Sequence, residues 1–174
     1  MAKLIGVVGL IFLLGFPLQA DAQSQEWNIQ VVVPISDPLG KREIHLARYQ
    51  HLHVILTNLS RDTKRIWKDW NTWGYFNLRL EWMDAQGITH KINRTTPKAW
   101  DGDFPDFWTI PPGESLVLNV DMSSGRWNGF PDLYGESIPA SLKAIYENKP
   151  DELSADFGIW TGRMISSPVE VVFK

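Results

Sequence analysis

The feature that most constrains this chain is a two-residue alternation of apolar and polar side chains, which recurs between clusters of turn-forming residues. Successive side chains on a strand point to opposite faces, so the alternation marks strands with one dry and one wet side. Leu52, Val54 and Leu56 alternate with His51, His53, Ile55 and Thr57. From Tyr75 to Met83, Phe76, Leu78, Leu80 and Trp82 alternate with Asn77, Arg79 and Glu81. Asp84-Ala85-Gln86-Gly87 reads as a turn that returns the chain into an antiparallel partner, Ile88 to Asn93. After the Pro111-Pro112-Gly113 turn, Leu116, Leu118 and Val120 alternate with Ser115, Val117 and Asn119. The same holds for Ala140, Leu142, Ala144 and Tyr146 against Ser141, Lys143, Ile145 and Glu147, and for Val169, Val171 and Phe173 against Glu170, Val172 and Lys174.

With Gln30 to Pro34 as the first, these segments make about seven strands, and they predict an all-β fold, an immunoglobulin-like antiparallel β-sandwich with long Trp-rich loops. Helix is expected only in short pieces, at Asp62 to Asn71 and Asp151 to Phe157, while 94 to 107 and 123 to 138 read as loops. The chain has no cysteine, so neither a disulfide framework nor a thiolate metal site is open to it and its stability must come from the core. A formal net charge of −3 offers no basic excess to neutralise phosphates, which argues against a nucleic-acid partner. Nine tryptophans are the outlier, and they need a job in the core or in a site.

The start of the chain reads as an export signal. Lys3 precedes the apolar run Leu4 to Leu18, and Ala20-Asp21-Ala22 places small residues where a signal peptidase cuts, predicting cleavage before Gln23. The run is shorter than the ~20 apolar residues of a spanning helix, and no second such run follows. The expectation is a signal peptide over 1–22, one β-sandwich domain over 23–174, and a secreted or periplasmic product with no membrane span after cleavage.

Several motifs occur together: Leu56-Thr57-Asn58 with Ser60, Trp73-Gly74-Tyr75, Pro112-Gly113-Glu114, the Ala144 to Tyr146 strand, and Trp160-Thr161-Gly162-Arg163 followed by Ser167. As a set they resemble an uncharacterised group of small secreted bacterial proteins with an immunoglobulin-like β-sandwich domain. The Leu-Thr-Asn strand and the Pro-Gly-Glu turn alone also resemble the inhibitor domain typified by a Bacillus intracellular proteinase inhibitor. The resemblance implies the fold and brings no catalytic or binding residues with it.

Candidate sites come from the loops. Trp67, Trp70 and Trp73 recur every third residue, a spacing that stacks side chains along one side of a helical turn. With Tyr75, Trp100, Trp108 and Trp127 they offer an aromatic platform on which the C–H face of a sugar can pack. The alternative is a plug, in which tryptophans close one end of a sandwich and donate their indole N–H groups to carbonyls. A chain without disulfides favours the plug. Asp101, Asp103 and Asp106, with Gly102 between, present hard oxygen ligands of the kind calcium takes, although without EF-hand spacing; the alternative is a solvated acidic loop. His51 and His53 share a strand face, as a zinc or copper pair would, or as two exposed strand residues. Asn58-Leu59-Ser60 and Asn93-Arg94-Thr95 match glycosylation acceptors. No GxSxG elbow or phosphate-cradling glycine loop is present, so catalysis is not expected. The sequence therefore supports a non-catalytic binding or interaction module with an unknown protein or glycan partner, the alternatives being a carbohydrate-binding module and a protease inhibitor.

Overall fold

The structure, a computed structural model, describes residues 26–34, 43–44 (backbone only), 51–100, 103–122, 125–132 and 136–174. The expected signal peptide and Asp101 lie outside these. Among the described residues the chain forms twelve strands and one five-residue helix. The strands are β1 (Trp27–Val32), β2 (Glu43–Ile44), β3 (His51–Asn58), β4 (Lys64–Trp67), β5 (Leu78–Met83), β6 (Thr89–Arg94), β7 (Phe107–Ile110), β8 (Ser115–Asp121), β9 (Trp127–Asn128), β10 (Ile138–Asn148), β11 (Gly162–Ile165) and β12 (Val169–Phe173). The helix α1 (Glu152–Asp156) follows β10; its N-cap Asp151 accepts a hydrogen bond from the Ser154 backbone N–H, satisfying one of the orphan donors of the first turn.

Three sheets result, none closed. One has the order β1-β3-β8; the largest runs β2-β12-β10-β5-β6-β9 with β11 also pairing β10; the smallest is β4-β7. Every pairing is antiparallel except β2 with β12. Register brings the apolar positions into rows. Val31, Val54 and Leu118 align across the first sheet, and Ile92, Leu80 and Ala144 across the second. These rows, with Trp82, Leu142, Tyr146, Val171 and Phe173, meet in one buried cluster. Burying each such leucine, valine or phenylalanine contributes about 1.5–3 kcal/mol, which is what an alternating pattern without disulfides must rely on. Among the described residues no helix is long and apolar enough to cross a membrane.

Four expectations change. Five strands of two to four residues, β2, β4, β7, β9 and β11, raise the count above about seven. The segment 62–71 is not helical: Lys64–Trp67 is strand β4, and turns follow it. Phe76 lies in those turns and is exposed, so it does not share the buried face of Leu78, Leu80 and Trp82. The loop 123–138 contains β9, which pairs Trp127 with Arg94.

Candidate functional site

The turns after β4 build the site. Asn71 is fully buried and its side chain works in both directions: Nδ2 donates to the Asp106 carbonyl at 2.8 Å, and Oδ1 accepts from the Gly74 N–H at 2.9 Å. Its own carbonyl accepts from Tyr75 N–H at 2.9 Å. Asn71 thus caps the turn that follows it, while Trp67 upstream is held in β4 by its pairing with Phe107 of β7, which is why the every-third-residue tryptophan spacing does not become a helix. Gly74 is required on steric grounds. A Cβ there would lie 2.8 Å from the Lys68 carbonyl carbon and 2.9 Å from Trp67 Cβ.

Arg94, at the end of β6, ties these turns to the larger sheet. Its guanidinium lies 4.6 Å from the Tyr75 ring centroid and 5.0 Å from that of Trp127. It donates to the Asp69 carbonyl at 2.6 Å and to Asp69 Oδ2 at 2.8 Å, with its side chain only 7% exposed. A charge so buried is sustained by a paired carboxylate and two aromatic faces. Tyr75 in turn donates its hydroxyl to the Thr95 carbonyl at 3.0 Å, and Trp100 packs edge-on against it, with centroids 5.1 Å apart and planes at 88°.

Around this keystone lies a cavity of about 570 Å³. Its aromatic lining is Trp70, Tyr75, Trp100 and Trp127; its polar lining includes Asp69, Arg94, Asp103, Asn119, Asp121 and Arg126. The volume falls within the range of small-molecule sites. The charged groups have partners within the protein. Asp69 holds Arg94, Asp103 accepts from the Thr72 N–H and hydroxyl, and Asp121 lies 3.9 Å from His51 Nδ1. Asn119 Oδ1 is 2.7 Å from His53 Nδ1, so the two strand histidines run alongside the β8 wall of the cavity.

The seven aromatic candidates separate. Trp70, Tyr75, Trp100 and Trp127 come together in the cavity. Trp67 is buried in a plug instead, packed against Trp73 and Phe157 with centroids 5.9 Å and 5.6 Å away, and it donates its indole N–H to Ser154 Oγ at 3.3 Å. Trp73 belongs to that plug and not to the cavity lining. Trp108 is outside the lining and partly exposed, 4.7 Å from the Lys68 ammonium. Trp82 and Trp160 are buried in the core.

The acidic loop divides too. Asp103 lines the cavity, whereas Asp106 receives the Lys68 ammonium at 2.7 Å and the Phe107 N–H at 2.8 Å. The Lys68 hydrogen bond holds the Asp106 carboxyl below its usual value. Among the described residues no group of three or more His, Asp or Glu is arranged to hold a metal ion. Asn58, the first glycosylation match, is fully buried: Nδ2 donates to the Asp62 and Ile110 carbonyls, and Oδ1 accepts from Ser60. Its amide is a structural pin joining β3 to β7, inaccessible to a modifying enzyme in the folded chain.

Sequence reasoning did not find Asp69, Arg94, Asn119, Asp121 or Arg126 as site residues. Asn119 was legible only as part of the wet face of β8, and Arg94 only as the middle of a glycosylation match. Comparison of the chain with protein-family models, with curated proteins and with solved structures gave no match.

Proposed function

We propose that the protein is an exported, non-catalytic binding module with an immunoglobulin-like sandwich fold, as in the secreted bacterial group it resembles, and that its loop cavity takes a neutral carbohydrate. The observation that carries this reading is one cavity of about 570 Å³ lined by two partly exposed indoles, Trp70 and Trp100, and by polar groups, while the buried Tyr75 and Trp127 give ring faces to Arg94. Aromatic faces suit the C–H surfaces of a sugar ring, and Asp, Asn and Arg side chains suit its hydroxyls. The charge pairing supports a neutral ligand over an ionic one. Arg94 in the lining is compensated by Asp69, and Lys68, next to the lining residue Trp70, by Asp106, so an anion would have to displace partners already in place. Binding is favoured over turnover because two of the three lining carboxylates, Asp69 and Asp103, are tied to Arg94 and Thr72.

A screen of the purified protein on an array of neutral glycans tests the reading. The expected result is retention of a defined glycan, weakened about tenfold or more by Trp100→Ala. A folded protein that binds no glycan contradicts the carbohydrate reading, and hydrolysis of a retained glycan contradicts the non-catalytic one.

A further inference from the structure

We infer that the ligand is a glycan chain and not a single sugar, and that the chain leaves the cavity across an external ridge of Trp70, Phe104 and Trp108. This rests on the carbohydrate reading of the cavity and adds the length of the ligand and its exit path.

Trp70 belongs to both surfaces. It lines the cavity and is nonetheless 46% exposed, packed edge-on against Phe104 at 5.8 Å and 76°. Phe104 is 55% exposed and directly follows Asp103 of the cavity lining. Trp108 is 37% exposed. The Lys68 ammonium lies between the two indoles, 5.5 Å from the ring of Trp70 and 4.7 Å from that of Trp108. Three large aromatic side chains are thus held partly in water, linked to the cavity lining through Trp70, while Trp67, three residues before Trp70, is buried. Exposed aromatic clusters of this kind mark binding surfaces.

Continuity and charge select the occupant. The ridge joins the cavity through Trp70, so a ligand seated inside that extends outward meets these rings next. The edge-to-face setting of Trp70 and Phe104 presents separate ring faces, which suits a chain of discrete sugar rings better than one flat apolar surface. The Lys68 ammonium carries three N–H donors, and Asp106 neutralises its charge while accepting one of them at 2.7 Å. Lys68 therefore offers hydroxyl recognition beside two aromatic faces without a net charge to attract an ionic polymer.

The test is affinity against chain length. The full protein is titrated, with tryptophan fluorescence as readout, with neutral β-1,4-linked glucose, mannose and N-acetylglucosamine oligomers and α-1,4-linked glucose oligomers of one to six units. The expected result is a Kd that falls about tenfold or more from disaccharide to hexasaccharide in the series that binds. Trp108→Ala should abolish that gain while leaving disaccharide affinity unchanged, and Phe104→Ala, at a more exposed position, should reproduce the effect. A Kd independent of length overturns the chain and leaves the cavity reading standing. Equal loss for short and long oligomers on Trp108→Ala assigns that indole a structural role and overturns the ridge. No binding by any series at any length overturns both.

Discussion

Replacing Asn71 by alanine tests how the site is held. Asn71 contributes two side-chain hydrogen bonds from a fully buried position, one to the Asp106 carbonyl and one from the Gly74 N–H. Each bond contributes about 0.5–1.5 kcal/mol net, so the pair accounts for about 1–3 kcal/mol. The backbone partners are not wholly orphaned. Gly74 N–H retains the Asn71 carbonyl at 3.3 Å, and the Asp106 carbonyl retains the Lys68 N–H at 3.1 Å, which keeps the loss from growing beyond that range. For a chain of this size 1 kcal/mol corresponds to about 2–4 °C in Tm, giving an expected fall of roughly 2–12 °C for Asn71→Ala. Asn71→Asp keeps the acceptor for Gly74 but turns a carboxylate oxygen toward the Asp106 carbonyl, and should cost at least as much. Thermal unfolding followed by near-ultraviolet circular dichroism is the assay, because the neighbouring Trp70, Trp73 and Tyr75 report on the same turn. A shift below about 1 °C for both variants would refute the assignment of Asn71 as the pin.

Gly74→Ala should destabilise the protein by about 3 kcal/mol or more, because its Cβ would run into Lys68 backbone atoms that no side-chain rotation relieves; a Tm near wild type contradicts this close approach. Acid should weaken the fold in a definite window. The carboxyls of Asp84, Asp106 and Glu147 are held below their usual values by hydrogen bonds from His90, Lys68 and Arg79 respectively. A lowered folded-state value stabilises above the ordinary carboxylate value of ~4 and ceases to do so as pH falls through the folded value, so Tm should be level from about pH 7 to 5 and drop below about 4. A Tm that rises on acidification contradicts the pairings. Millimolar calcium should leave Tm unchanged, since Asp106 is committed to Lys68 and Asp103 to Thr72; a calcium-dependent rise abolished by Asp103→Asn would revive the acidic loop as a metal site.

The strands were legible where a period of two runs long enough to fix the faces. Leu52, Val54 and Leu56, or Ala140, Leu142 and Ala144, are buried as their alternation requires. The region around Trp67 was not legible. Its tryptophan spacing fits a helical turn, and the choice of strand followed by turns is made by Trp67 pairing with Phe107 and by Asn71 reaching Asp106, a partner 35 residues away. The short β4-β7 and β6-β9 pairings have the same character, since two to four residues carry no period of their own. Of the site, the aromatic half was visible because tryptophan in a loop is unusual wherever it falls. The polar half depends on Asp69 meeting Arg94 across 25 residues and on β8 presenting Asn119 and Asp121 beside them, which are properties of the assembled sheets.

The most direct measurement of the central claim is a two-dimensional NMR titration of the nine indole N–H signals with a neutral oligosaccharide retained on the glycan array. Shifts are expected at Trp70, Trp100 and Trp127, which line the cavity, and none at Trp27, Trp82 and Trp160, which are buried in the core. Shifts confined to indoles away from the cavity, with Trp70, Trp100 and Trp127 unmoved at saturation, would contradict that claim.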